Sequence, residues 1–285
     1  MIEHRLFTAS TASARFNIVL VHGMVEHSGR YAEFAQFLAD QGGNVITFDL
    51  RGHGHYKGNQ GLGDFGDAIN GGTQKIFADI AQLFASFDNH LPNILFGHSM
   101  GSTIALRYAQ THTGLRQLIL TGVPFNSPAL LSIGYQVARL EHKIKGEKTS
   151  MFDATFKKYN QYFKPNQTDF DWLSASTTNV QNYINDPLCG YPISIRYYVA
   201  MFEFMRDCFR PNEIANIEKT TSVLVAWGAS DPCTDFGKGT RELIARLQNA
   251  GLATAQIEYP GMRHEILNED NRMQVYQDIV RLIQA

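Results

Sequence analysis

Six short apolar runs, separated by stretches with helical periodicity, constrain the fold of this 285-residue chain more than any other feature. Runs of this length are typical of buried strands, and their alternation with amphipathic helices predicts parallel strands joined by crossover helices. The chain is long enough to bury a core around such a sheet. We therefore expect an α/β fold. The predicted strands lie at 17–21, 45–48, 93–96, 117–120, 222–226 and 255–259.

Apolar residues with a period of 3.6 predict amphipathic helices between the strands. The first such series contains Tyr31, Phe34, Phe37 and Leu38, and the second runs from Ile76 to Phe87. Alternation of strands and helices stops after residue 125 and returns near residue 222. The stretch between them is helical in pattern and rich in aromatic residues. We predict a helical cap at 126–213, inserted between two core segments at 1–125 and 214–285.

A serine flanked by glycines, Gly97-His98-Ser99-Met100-Gly101, directly follows the third predicted strand. Glycines at these positions let the chain turn sharply from strand into helix, which exposes the serine hydroxyl at the edge of the sheet. The residues that follow have the apolar spacing of a packed helix. A turn with an unreactive serine is the alternative. The context favours Ser99 as the nucleophile of a serine hydrolase.

Such a serine needs a base and a carboxylate that orients the base. In this architecture both follow the serine, the acid first, on loops after strands. Asp231 follows the fifth predicted strand and His264 follows the sixth, whereas His112 and His142 lie on no such loop. A turn or helix-capping aspartate is the alternative interpretation of Asp231. We predict Ser99, Asp231 and His264 as the catalytic residues.

Attack by the serine creates an oxyanion that backbone N–H groups usually stabilise. Met100 directly follows the serine, and Met24 lies in the loop after the first predicted strand. We predict that the N–H groups of Met24 and Met100 form the oxyanion hole. The alternative is that these two residues only pack through their side chains.

Charge and cysteine content limit the classes of protein to which the chain can belong. A net charge of -2 at pH 7 argues against a general nucleic-acid binder. Three cysteines without metal-ligand spacing predict free thiols in a reducing compartment. The first residues lack the apolar core of a signal peptide, and no stretch is apolar enough to span a bilayer. We expect a cytoplasmic protein and leave its oligomeric state open.

The sequence predicts no cofactor and no metal. His53 and His55 are close in sequence but have no third ligand at a suitable spacing, so we interpret them as part of a structural turn. His264-Glu265 begins like a zinc-protease motif, but Asn268 stands where that motif requires its second histidine. A phosphate-binding loop is also missing from the sequence.

The cap sequence allows two interpretations of its apolar residues and two of its charges. Its aromatic and methionine side chains could line a groove for an acyl chain or form the core of the cap itself. Its basic residues outnumber Glu141, Glu147 and Asp153, so they could bring the cap to an anionic membrane surface or simply solvate a helix face. These basic residues are Arg139, Lys143, Lys145, Lys148, Lys157, Lys158 and Lys164.

Three segments together resemble the monoglyceride lipase and lysophospholipase branch of the α/β-hydrolase superfamily, which belongs to the serine aminopeptidase-like hydrolases. They are HGMVEHSGRY at 22–31, DLRGHG at 49–54 and GHSMG at 97–101. The loops around Asp231 and His264 are also similar to that branch. The chain departs from that branch at His55-Tyr56, directly after the RGHG turn. Relatives often have a small residue followed by serine at this place.

The resemblance implies an α/β-hydrolase fold, with a mostly parallel central sheet flanked by helices and a helical cap inserted after the sixth strand. It also implies the same triad and the same two oxyanion donors. The implied substrate is a single-chain lipid ester, either a monoacylglycerol or a lysophospholipid. The alternative is a short-chain or aryl esterase, a thioesterase or a peptidase that uses the same triad. A third hypothesis is a non-catalytic ligand-binding homologue.

Overall fold

The computed structural model describes residues 3–11, 13–56, 61–64, 72–87, 90–146 and 150–284. Its strands are β1 (His4–Phe7), β2 (Phe16–Val21), β3 (Gly43–Phe48), β4 (Asn93–His98), β5 (Leu115–Thr121), β6 (Ser222–Gly228) and β7 (Thr254–Tyr259). They form one sheet in the spatial order β1-β3-β2-β4-β5-β6-β7. All neighbouring pairs are parallel except β1 and β3. All six predicted strands are confirmed, and β1 was not predicted.

Helices cover both faces of the sheet. In the described part of the chain they are α1 (Ala32–Asp40), α2 (Gly72–Ala85), α3 (Met100–Ala109), α4 (Pro128–Lys145), α5 (Ala154–Asn160), α6 (Thr177–Asn185), α7 (Ile195–Cys208), α8 (Pro211–Ile214), α9 (Lys238–Asn249) and α10 (Arg272–Gln284). Ile18 and Leu20 of β2 join one apolar cluster with α1 and α10, whereas Val19 and Val21 join another with α2, α3 and α9. Side chains of a strand alternate between faces, so an apolar run is what a strand buried on both faces requires.

Helices α4 to α8 lie between β5 and β6, and we call this segment, residues 128–214, the cap. In chain order the cap follows the fifth strand of the described residues rather than a sixth, because a single strand, β1, precedes the parallel series. Ser127 begins α4, since its hydroxyl accepts the N–H of Leu130 and Pro128 occupies the first turn. The domain boundaries at 125/126 and 213/214 stay predictions.

Apolar residues of the cap serve two cores. Tyr197, Tyr198 and Met205 of α7 belong to the cluster that also contains the β2 and α3 side chains. Trp172 is the centre of a smaller cluster within the cap. Tyr162 belongs to neither cluster, and 66% of it is exposed. None of the helices in the described ranges combines the length and the apolarity needed to cross a bilayer.

Candidate active site

Ser99 lies at the sharp turn between β4 and α3, with φ of +53° and ψ of -122°. Positive φ is strained for a residue with a side chain. A Cβ atom on Gly97 would lie 2.3 Å from the carbonyl oxygen of Gly101, and one on Gly101 would lie 2.3 Å from that of Val21. Glycine at both positions therefore lets strand and helix meet at the serine. The predicted strand-turn-helix context of Ser99 is confirmed.

Three predicted site residues, far apart in the sequence, meet at the carboxyl end of the sheet. His264 Nε2 lies 2.9 Å from Ser99 Oγ, and His264 Nδ1 lies 2.9 Å from Asp231 Oδ2. Asp231 follows β6 and His264 follows β7, so neighbouring parallel strands bring both residues to the same edge. Asp231 also accepts the N–H of Cys233 at 2.8 Å through Oδ1. One oxygen of this aspartate therefore caps a turn and the other faces the histidine. The catalytic role of Asp231 stays a prediction.

The charge state of His264 depends on opposing effects. Burial alone would lower its pKa, but the charge and the hydrogen bond of Asp231 outweigh burial, so the pKa of His264 lies above its ordinary value. His98 packs against it with ring centroids 4.8 Å apart. Burial and the neighbouring His264 lower the pKa of His98 to about 4, which keeps His98 neutral near pH 7. His264 is thus the ring whose protonated form the site stabilises.

Both predicted oxyanion donors lie beside the serine. Met100 begins α3, where the first N–H groups of a helix have no acceptor within the helix. Met24 lies in the loop after β2, and a Cβ atom on its neighbour Gly23 would lie 3.2 Å from Ser99 Cβ. Both N–H groups thus belong to residues close to the hydroxyl. Their role in catalysis stays a prediction.

A cavity of about 300 Å³ opens on Ser99. It lies between the loop after β2, the His264 loop and the cap. Apolar side chains dominate its wall, among them Met24, Val25, Phe156, Trp172, Leu173 and Ile193. This volume is at the lower end of the range for small-molecule sites.

The cap also contacts the loop of His264 directly. The Trp172 ring lies 5.0 Å from the His264 ring, between centroids. Next to it, the Glu265 N–H donates to the Leu173 carbonyl oxygen at 2.8 Å. The cap therefore supports the position of the histidine as well as enclosing the cavity.

Sequence reasoning missed a buried ionic network behind the loop after β2. Arg30 donates to Glu26 at 2.8 Å and to the two oxygens of Glu265 at 2.5 and 2.7 Å. Asn179 of α6 accepts from Arg30 at 3.1 Å and donates to Glu265 at 2.7 Å. Burial would raise the pKa of Glu26, but Arg30 holds it well below its usual range. Glu26 and Arg30 lie within the HGMVEHSGRY segment, whereas Asn179 carries no signal in the sequence.

A comparison with protein families identifies the chain. The model of a hydrolase family described as serine aminopeptidase, S33, matches residues 12–271. The chain belongs to this family.

Named relatives of this S33-family hydrolase include two bacterial lipid hydrolases. It is 27% identical to a monoacylglycerol lipase of Mycolicibacterium smegmatis over 93% of this chain and 87% of the relative. It is 25% identical to phospholipase YtpA of Bacillus subtilis over 91% of this chain and 92% of the relative. A solved carboxyl esterase from Bacillus coagulans superposes with a TM-score of 0.84 at 26% identity, covering 99% and 93% of the two chains. The predicted α/β-hydrolase fold and the assignment to serine ester hydrolases are confirmed.

Two groups of described side chains in this S33-family hydrolase consist of residue types that can bind a metal ion. The first comprises His27, Asp186 and Cys189, and the second comprises Asp231, Cys233 and His264, each with ligand atoms within 4.8 Å. His27 Nδ1 accepts the Gly29 N–H, so its Nε2 carries the proton that it donates to Asp186 at 2.8 Å. That tautomer offers a metal no lone pair on Nε2. In the second group, both ring nitrogens of His264 are already hydrogen-bonded, one to Asp231 and the other to Ser99.

The DLRGHG segment forms a turn in this S33-family hydrolase. Asp49 accepts the N–H groups of Ser28 and His55 at 2.8 Å each. His53 is buried, and its Nε2 lies 2.9 Å from the Tyr197 hydroxyl. His55 is exposed. The interpretation of this segment as a structural turn is confirmed.

Proposed function

We propose that the protein hydrolyses carboxylic esters of single-chain lipids, such as monoacylglycerols or lysophospholipids, through an acyl-enzyme on Ser99. The observation that carries the proposal is the hydrogen-bonded series Ser99–His264–Asp231 at the opening of an apolar cavity of about 300 Å³. Relatives named monoacylglycerol lipase and phospholipase support the lipid class of the substrate.

In the acylation half-reaction, His264 Nε2 takes the proton of Ser99 as Oγ attacks the ester carbonyl carbon. Asp231 keeps the proton on Nδ1 and stabilises the imidazolium that forms. The N–H groups of Met24 and Met100 donate to the oxyanion of the tetrahedral intermediate. His264 then protonates the departing alcohol oxygen, and the ester bond to the alcohol breaks.

In the deacylation half-reaction, a water molecule takes the place of the alcohol. His264 removes a proton from the water as its oxygen attacks the acyl-enzyme carbonyl carbon. The bond to Ser99 Oγ then breaks and the proton returns to the serine. A free fatty acid and the resting enzyme result, and both halves of the reaction need a neutral His264 at the start.

The size of the cavity supports an acyl chain of medium length. Apolar side chains dominate the wall of this cavity of about 300 Å³, so part of an acyl chain can be buried there. A longer chain extends towards the exposed Lys157 and Asp169 on the cavity wall. We therefore expect kcat/KM to rise with chain length from acetyl to medium-chain esters.

Hydrolysis of an ester panel tests the proposal. The panel contains monoacylglycerols and p-nitrophenyl esters from acetyl to oleoyl, together with lysophosphatidylcholine. We expect the highest kcat/KM for medium-chain glycerol esters, no turnover by Ser99→Ala, and fluorophosphonate labelling of the wild type alone. Equal labelling of Ser99→Ala would contradict the assignment of the nucleophile.

A short-chain or aryl esterase is the second candidate function. The similarity to a solved carboxyl esterase, with a TM-score of 0.84, favours it, as does the modest cavity. The same panel separates the two candidates, because a preference for acetyl over decanoyl esters would support the second. Thioester and p-nitroanilide substrates with the same acyl group extend the test to thioesterase and peptidase activity. Stable ligand binding without turnover would identify a non-catalytic homologue.

We further propose that the outer face of α4 contacts an anionic membrane surface peripherally. Leu130, Ile133, Leu140 and Ile144 recur along this helix on one face and are 56%, 62%, 58% and 73% exposed. The exposed cations of α4 lie beside them; these are Arg139, Lys143 and Lys145. An apolar stripe next to basic residues suits the interface of an anionic bilayer. Lys148 and Glu147 lie outside the described residues.

Vesicle sedimentation tests this contact. We expect binding to phosphatidylglycerol-containing vesicles, weaker binding to pure phosphatidylcholine, and loss of binding when Ile133→Ser and Leu140→Ser are combined. Leu6→Ser, at an exposed apolar residue of β1, is the matched control. If the double variant bound vesicles like the wild type, the proposal would be wrong. The cytoplasmic location predicted from the cysteines stays a prediction.

A further inference from the structure

Val25, in the loop after β2, has a φ of +51°. The left-handed region is unfavourable for a side chain branched at Cβ, so this residue stays there only where its surroundings hold it. Val25 directly follows Met24, which the proposed mechanism uses as an oxyanion donor. The strained conformation of Val25 is therefore a candidate for controlling the position of the Met24 N–H.

Two hydrogen bonds from the cap converge on the carbonyl oxygen of Val25. The N–H of Gly190 donates to it at 2.9 Å, and the hydroxyl of Tyr183 donates to it at 3.1 Å. Tyr183 belongs to α6, and Gly190 lies in the connection between α6 and α7. The strained conformation is thus held by donors outside the core.

Gly23, on the other side of Met24, is restrained by a residue of the same loop. Glu26 Oε1 accepts the Gly23 N–H at 2.6 Å and the Tyr31 hydroxyl at 2.6 Å. Met24 therefore stands between two restrained neighbours, Gly23 and Val25. Release of either neighbour would let the Met24 N–H rotate away from the oxyanion.

We propose that Tyr183 is a positioning residue whose hydroxyl, together with the Gly190 N–H, holds Val25 in the conformation that directs the Met24 N–H at the oxyanion. The inference rests on the proposed function, because it concerns the same reaction at Ser99. It assigns to the cap a part in the chemical step, in addition to enclosing the acyl chain.

The side chain of Tyr183 is well placed for this role. It is buried, the Arg30 guanidinium lies 5.0 Å from its ring centroid, and the Phe170 ring lies 5.1 Å away. Burial raises the pKa of the Tyr183 hydroxyl, so the group stays a donor at all working pH values. Because these ring contacts do not use the hydroxyl, Tyr183→Phe removes the donor and keeps the packing.

Steady-state kinetics of Tyr183→Phe test the proposal. Loss of one neutral hydrogen bond to the loop should lower kcat about tenfold, while KM stays within about twofold because the ring still lines the cavity. Affinity for a trifluoromethyl ketone, which forms an oxyanion on Ser99, should fall by the same factor as kcat/KM. Tyr162→Phe, at an exposed cap tyrosine, is the matched control and should behave like the wild type.

A second variant separates positioning from a general structural role. Glycine adopts positive φ without strain, so Val25→Gly should make the Tyr183 hydroxyl largely dispensable. In that background we expect Tyr183→Phe to lower kcat less than about threefold. An equal loss in both backgrounds would overturn the proposal, because the hydroxyl would then act independently of Val25. Titration of active sites with a fluorophosphonate corrects each kcat for any misfolded fraction.

The outcomes distinguish this inference from the proposed function. A wild type that hydrolyses none of the panel esters would overturn both. A wild type that hydrolyses them, with kcat and analogue affinity unchanged in Tyr183→Phe, would overturn only the role of Tyr183. A raised KM with unchanged kcat would do the same, because the hydroxyl would then be a substrate contact.

Discussion

The two sides of the cap differ in what they contact. Its outer side, α4, leaves a row of apolar side chains exposed beside lysines and an arginine. Its inner side, the segment 171–190, is hydrogen-bonded to the loops that carry Glu26 and His264. The difference teaches that one side of an inserted segment can be fixed to the core while the other side stays exposed. We expect the inner side to influence the reaction at Ser99 and the outer side to contact a membrane surface.

The attachment of the inner cap is reinforced at a second point. Glu269, in the loop after β7, accepts the Ser174 hydroxyl at 2.8 Å and the N–H groups of Ala175 and Ser176 at 3.0 and 3.1 Å. Ser174, Ser176 and Glu269 are buried, and breaking such bonds without a replacement is costly. Any motion of the cap should therefore involve the outer side more than the inner one.

We expect the largest effect from a substitution in the loops that follow β6 and β7 at the edge of the sheet. Asp231→Asn should lower kcat by about 10⁴-fold, because the amide favours the wrong tautomer of His264. Steady-state kinetics on the best ester of the panel measure it. A loss below about tenfold would mean that Asp231 only caps its turn.

Arg30→Ala tests how strongly the inner cap depends on the buried network. The substitution leaves the carboxylates of Glu26 and Glu265 buried without their cation, which should lower the free energy of unfolding by about 3–5 kcal/mol. Chemical denaturation measures the change. Arg241→Ala breaks the exposed ion pair with Glu258 and should change the free energy of unfolding by about 0–1 kcal/mol. Equal effects of the two substitutions would remove the distinction between a buried and a surface link.

The pH dependence of kcat/KM reports the charges that the inner cap holds near His264. The base must be neutral, so activity should fall as the pH falls through the pKa of His264, which lies above its ordinary value of 6.5. Glu265→Gln removes a nearby negative charge that raises this pKa. The acid limb of the profile should therefore move to lower pH.

Glu33→Gln is the matched control for that experiment, since Glu33 is an exposed partner of Arg272. We expect no shift of the acid limb in this variant. An unchanged limb in Glu265→Gln would show that the charge of Glu265 does not influence the base.

The outer cap should give the smallest effect on soluble substrates. Ile133→Ser combined with Leu140→Ser should leave kcat and KM for a p-nitrophenyl ester within about twofold, because exposed substitutions rarely disturb the fold. Measurement with the same ester dispersed in anionic vesicles should show a clear loss. A large loss on the soluble ester would mean that α4 contributes to the site and that the two sides of the cap act as one.

Much of the core could be predicted from the sequence because the strands are buried on both faces. Such strands must be continuously apolar, as β2 is. In this architecture the loops after successive strands carry the serine, the acid and the histidine in that order. The strand β1 was missed because it lies at the edge of the sheet, mostly exposed, with no apolar pattern in His4–Phe7. The cap was predicted as helical and aromatic, but the sequence did not show which side chains face the cavity.

Ser99, Asp231 and His264 could be proposed from the sequence because the chain itself places each of them directly after a strand, and the structure brings them together. Their catalytic roles stay predictions. The network of Glu26, Arg30, Asn179 and Glu265 joins three segments that are far apart in the sequence, and only the folded chain decides that they meet. The same holds for the contact of Tyr183 with Val25. Local pattern determines which elements form, since backbone and side-chain periodicity act over a few residues. Packing of the cap against the sheet decides their contacts, since burial and hydrogen bonding act between parts of the chain that are far apart in sequence.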